Sequence, residues 1–141
     1  MDYSQLVDLS PDGIFVIRNN AIVFVNPAVL RLFGAITQDE VVGQSPLRFF
    51  RPERHPQIRE RIRQLLMGKT VPAVEETLVR LDGTVRDVEI LGTLFEDPPD
   101  RAIQVIVRDI TERKRTESEL RESVERLTLG YAGAQEGVWE W

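Results

Sequence analysis

Apolar and polar positions repeat along this chain in two periods, and the order of the periods outlines a fold. Ile14-Phe15-Val16-Ile17 and Ala21-Ile22-Val23-Phe24-Val25 are short β-branched and aromatic runs of the kind that suit a pleated strand. Arg18-Asn19-Asn20 separates them, and asparagine tolerates the left-handed backbone of a tight turn, so an antiparallel hairpin is expected. In the next stretch Val29, Leu30 and Phe33 share a helical face. Asn26 offers an N-cap oxygen, Pro27 suits the first helical position and Gly34 a left-handed end, which predicts a short helix. Thr37 and Glu40 stand at capping-box spacing ahead of Gly43 and predict a second one. From Glu53 to Met67, Ile58, Ile62, Leu65 and Leu66 fall at i, i+4, i+7 and i+8, the stripe of an amphipathic helix lying on a sheet.

The chain then returns to a period of two. Val74 to Arg80 and Thr84 to Leu94 flank Leu81-Asp82-Gly83, and Asp-Gly between strand-like runs is a strong hairpin signal. Asp97-Pro98-Pro99-Asp100 turns the chain again, into Ala102 to Val107. Five strands with a helical block between the second and third predict an α+β domain that closes near Asp109. At its start, Asp2 to Leu9 is expected to form an amphipathic cap helix with Tyr3, Leu6 and Val7 on one side, ended by Ser10-Pro11-Asp12-Gly13.

Beyond the last strand the character changes without a loop. Asp109 and Glu112 stand at capping-box spacing, so the strand is expected to pass directly into a helix over residues 110–129. Ile110, Leu120, Val124 and Leu127 fit a heptad seam, while Arg113 and Glu117 occupy its intervening positions and weaken it. Charged i, i+4 pairs such as Arg113/Glu117 and Glu122/Arg126 mark an exposed or coiled-coil helix. Glu136-Gly137-Val138-Trp139-Glu140-Trp141 echoes Asp12-Gly13-Ile14-Phe15-Val16-Ile17. Residues 130–141 are therefore expected to open a second copy of the domain, within a larger protein.

At 141 residues there is room for one domain and an appendage. The formal net charge of −5 argues against nucleic acid as a partner, because counterion release needs a positive surface. The basic stretch Arg51 to Arg63 reads as a solvated helix face. No apolar run reaches the length of a membrane span and the start lacks a signal-peptide pattern, so a cytoplasmic location is expected. With no Cys, disulfides, thiolate nucleophiles and Cys-based zinc sites are excluded. No catalytic constellation is visible: Glu75 and Glu76 face opposite sides of a strand, and Asp87 and Glu89 share a face with no base or metal motif near them. No enzymatic activity is expected.

The elements in this order resemble the PAS domain family over about Tyr3 to Arg115. The residues that carry the resemblance are SPDGIFVIRNN, IVFVNPAVLRLFG, TQDEVVGQS, RLDGTVRDVEI and VRDITERKR, and ERLTLGYAGAQEGVWEW looks like the opening of a second such domain. The resemblance implies a PAS fold over residues 1–109. That is a five-stranded antiparallel sheet with helices on one face enclosing a small cavity, and a C-terminal signalling helix. It implies a sensory module in cis to an output domain, in a bacterial sensor histidine kinase or diguanylate cyclase of a signal-transduction system. Homodimerisation through the N-terminal cap and the C-terminal helix is expected from the weak heptads of that helix. The joint Asp109-Ile110-Thr111-Glu112 is the expected route of signal transmission.

No cofactor is expected in the cavity. A covalent flavin adduct needs a Cys that is absent here. In the family's haem sensors the axial His lies near the end of the long helix, whereas the only His, His55, stands at its start. A small organic ligand is the remaining option, against a lining of Phe15, Ile17, Phe24, Asn26, Phe33, Phe49, Ile62, Leu66, Val88, Ile90 and Val105. The same residues could instead form only the core, with Asn26 serving as a helix cap. A ligand-free interaction domain that relays another domain's signal is the alternative function.

Overall fold

The computed structural model describes residues 10–135. The expected cap helix Asp2 to Leu9 and the echo Glu136 to Trp141 lie outside the described residues. The chain divides into two compact units after Ile110.

The first unit is built on an antiparallel sheet in the order β2-β1-β5-β4-β3. Its strands are β1 (Gly13–Arg18), β2 (Ala21–Val25), β3 (Val74–Val79), β4 (Val85–Asp97) and β5 (Asp100–Asp109). Asn19 and Asn20 have φ of 53° and 64°, so both central residues of the first hairpin are left-handed, which matches the twist of the strands it joins. In the second hairpin Gly83 has φ of 88°, and Asp82 Oδ1 accepts from the Thr84 backbone N–H at 2.9 Å.

Helix α1 (Pro27–Phe33) follows β2 directly and ends at Gly34 with φ of 74°. The second helix expected after Thr37 is only a 3₁₀ turn, Gln38–Glu40. Glu40 still reaches back to the Thr37 backbone N–H at 3.0 Å and the Ile36 N–H at 2.7 Å, and these bonds hold its carboxyl below the usual range. The local capping chemistry is present, but the segment is too short to propagate a helix. Two more 3₁₀ turns, Pro46–Phe49 and Pro52–Arg54, lead into helix α2 (His55–Leu66).

Phe33, Phe49, Leu78, Val88, Ile103 and Val107 are fully buried between the helical block and one face of the sheet. The Phe33 ring lies 4.6 Å from that of Phe49 and meets Phe15 edge-on at 6.0 Å. The second unit contains one helix, α3 (Thr111–Gln135), which extends past the expected end at Leu129. Among the described residues no helix is long and apolar enough to cross a membrane.

Candidate functional site

A cavity of about 60 Å³ lies under α2, between Ile58, Ile62 and Leu65 of that helix and Ile90, Gly92, Ile103 and Val105 of the sheet. Phe15 and Ile17 of β1 form one side, and Phe50, Val74, Arg61 and Glu76 the other. Gly92 makes this geometry possible: a Cβ on it would stand 2.7 Å from Leu65 Cδ1, so only glycine lets the helix settle this close without a shift.

Of the lining expected from sequence, Phe15, Ile17, Ile62, Ile90 and Val105 meet at the cavity. The others do not. Phe33, Phe49 and Val88 are fully buried in the core beside it. Phe24 is half-exposed and pairs with Val16, so it lies on the opposite face of the sheet from Phe15 and Ile17. A bulge between Val16 and Ile17 shifts the register so that Val25 and Ile22, not Phe24, face inward. Leu66 is 39% exposed, against 7% for Leu65, and its carbonyl accepts from Arg101 at 2.8 Å. The stripe of α2 thus turns its Leu65 edge to the sheet, where Gly92 leaves room.

Asn26 is fully buried and serves as an internal tie. Its Oδ1 accepts from the Val29 N–H at 3.1 Å, capping α1, and from the Ile14 N–H at 2.9 Å, while Nδ2 donates to the Asp12 carbonyl at 3.0 Å. It does not line the cavity.

Charge enters the site from an unexpected direction. Glu76 faces inward with its side chain only 4% exposed, and Arg54 holds it through a fork, Nε to Oε1 at 3.0 Å and Nη2 to Oε2 at 2.8 Å. That bond raises the basicity of Arg54. Arg61 lines the cavity, and burial holds its guanidinium below its usual basicity, with Glu76 acting in the opposite sense. Arg61 therefore lines the cavity, and Arg54, its side chain 41% exposed, reaches the inward-facing Glu76, both out of a stretch that charge pattern alone assigns to solvent. The signal that could have found Glu76 is its place between Val74 and Leu78 on alternate positions of β3, the inward set. His55 is occupied locally: its Nε2–H donates to the Phe50 carbonyl at 3.0 Å.

At the other end of the sheet, the joint is held to its neighbour strand. Val88 of β4 pairs with Asp109, and the Ile110 N–H donates to the Asp87 carbonyl at 2.8 Å. Ile110 is buried in the first unit, so it belongs to the domain and not to the heptad seam. The Asp109 carboxylate lies 3.9 Å from Arg86, and α3 begins at Thr111, with Glu112 in its first turn. Along α3, Leu120, Val124 and Leu127 are all exposed.

The first unit is thus an antiparallel sheet with helices folded over one face around a small cavity. Residues 1–110 match the family defined by the PAS fold, and the chain belongs to that family. It is 32% identical over 128 residues to sporulation kinase A of Bacillus subtilis strain 168, an alignment covering 91% of this chain and 21% of that kinase. The chain thus spans about a fifth of the length of this curated relative. Among solved structures, it is similar to a domain of the sensory box sensor histidine kinase/response regulator from Geobacter sulfurreducens. The TM-score is 0.66 at 25% identity, covering 76% of this chain and 90% of that one. The PAS domain of a Colwellia psychrerythraea protein superimposes with a TM-score of 0.69 at 19% identity, covering 77% and 94%.

Proposed function

We propose that this chain is the sensory module of a histidine kinase, receiving a small molecule in the cavity under α2 and passing the change through Asp109-Ile110-Thr111-Glu112. One observation carries the reading: the strands that wall the cavity also form the exit. Ile90 and Val105 line the cavity, Ile90 pairs with Val107, and Val88 pairs with Asp109. A shift of β4 against β5 at the cavity therefore reaches the start of α3 within a few residues, along a continuous ladder. The kinase output is supported by the similarity to sporulation kinase A; a diguanylate cyclase has no such support and is set aside. Haem and flavin are not proposed, because the cavity of about 60 Å³ is far below the roughly 300–1,000 Å³ of sites that enclose drug-sized ligands.

The exposed stripe Leu120, Val124 and Leu127 favours a second element of the reading, a parallel homodimer through α3. If this is right, the 141-residue chain is a dimer in sedimentation equilibrium and a form ending at Arg108 is a monomer. An unchanged oligomeric state after truncation defeats the dimer assignment.

Native mass spectrometry of the purified chain tests sensing directly. A retained small molecule supports it; a ligand-free dimer that binds no member of a metabolite library favours the relay alternative. For the joint, Asp109→Ala and Thr111→Ala in the parent protein are expected to abolish the signal-dependent change in autophosphorylation while leaving the domain's circular dichroism unaltered. A normal response in both variants removes the joint from the transmission path.

A further inference from the structure

Arg61 is the polar group at the cavity whose hydrogen-bonding capacity is least used. A guanidinium carries five N–H donors. Among the described residues Arg61 makes one side-chain hydrogen bond, from Nη2 to the Pro72 carbonyl. Arg54, by contrast, gives two of its donors to Glu76 in a matched fork. The polar part of the wall and its partner thus comprise two cations and one carboxylate, and that carboxylate is already taken. The positive charge left over belongs to Arg61. Burial disfavours its charged form, the nearby charge of Arg54 acts in the same direction, and Glu76 compensates in part. An anion beside Arg61 would relieve both penalties.

The remainder of the wall is apolar, chiefly Phe15, Ile103 and Val105 opposite the helix. Such a site suits an amphipathic molecule with one anionic end and a short hydrocarbon body. An amine is disfavoured, because it would have to displace Arg54 from Glu76 while standing next to Arg61. A second negative charge would face either the apolar wall or Glu76.

We infer that the cavity takes a short-chain monocarboxylate, its carboxylate hydrogen-bonded to Arg61 and its alkyl chain packed on Phe15, Ile103 and Val105. This rests on the sensory reading above and names the ligand class of that same site. The volume of about 60 Å³ limits the chain to a few carbons.

The test is a titration of the ¹⁵N-labelled 141-residue chain with butyrate, butyramide and butylamine, which share size and differ in charge. Butyrate is expected to shift the amides of Gly92, Ile103 and Val105 saturably, and butyramide to bind at least about tenfold more weakly, as loss of a charge-assisted hydrogen bond requires. Arg61→Gln is expected to reduce butyrate affinity by about tenfold or more, and Arg61→Lys to restore part of it. Should Arg61→Gln fail to fold, the comparison of butyrate with butyramide on the unaltered chain decides alone. Equal binding of the two overturns the carboxylate assignment and leaves the sensory reading standing. Tighter binding of butylamine overturns it as well, and assigns the site to Glu76. Absence of any saturable shift with all three overturns the inference, while native mass spectrometry judges the sensory reading separately.

Discussion

Replacing Asn26 by alanine is expected to destabilise the domain by about 2–4 kcal/mol, by summing a lost helix cap and a buried backbone donor left without its acceptor. The cap is the bond from the Val29 N–H, and the abandoned donor is the Ile14 N–H at the head of β1. The loss of the bond from Nδ2 to the Asp12 carbonyl adds less, because that group is only partly buried and water can replace it. For a domain of this size the change corresponds to a fall in Tm of roughly 10–20 °C, read by calorimetry. Asn26→Asp separates the contributions. It keeps an oxygen for both N–H groups, at a helix N-terminus that favours negative charge, but sets a carboxylate oxygen against the Asp12 carbonyl. The expected order of stability at neutral pH is Asn, then Asp, then Ala. An alanine variant as stable as the parent would show that the tie between β1 and α1 is dispensable.

The second large effect distinguishes two neighbours on α2. Leu65→Ala is expected to cost about 2–5 kcal/mol, because the side chain is buried over Gly92 and its removal leaves a hole that the sheet cannot close. Leu66→Ala is expected to stay within about 0.5–1 kcal/mol, since that side chain already meets solvent. Urea denaturation of the two variants measures both. Equal costs would mean that α2 presents a different edge to the sheet from the one described. The Leu65 variant also enlarges the cavity, so it is expected to accept carboxylates one or two carbons longer, within the limits set by its reduced stability.

The elements of the domain were largely legible in the chain because their signals are local. Asn19-Asn20 and Asp82-Gly83 state their turns through backbone conformations that few residues adopt without strain. Asn26-Pro27 and Gly34 mark the two ends of α1 in the same way. The 3₁₀ turn at Gln38–Glu40 is the instructive exception, since the same capping pattern stands at the head of a segment with too few residues to repay nucleation.

The cavity was legible only in part, for a physical reason. Period and composition say that a residue points inward; they do not say whether it meets another side chain or a gap. Phe33 and Phe49 are as apolar as Phe15, yet their rings close on one another and only Phe15 also borders open space. A bulge in the first hairpin reversed the expected facing of Phe24, because one irregular residue exchanges the faces of those that follow.

By itself, then, the sequence determined the strands, their turns and the caps of α1, each of which depends on neighbours a few residues apart, and the order of those elements carried the family. Tertiary structure alone decided which leucine of α2 enters the site, that Ile110 anchors the exit, and that Arg54 and Arg61 gather around Glu76. Those outcomes depend on groups brought together across the sheet, where burial sets the cost of an unpaired charge. Arg54 closes on Glu76 because the side chain of Glu76 is nearly out of solvent, and no pattern along the chain carries that information.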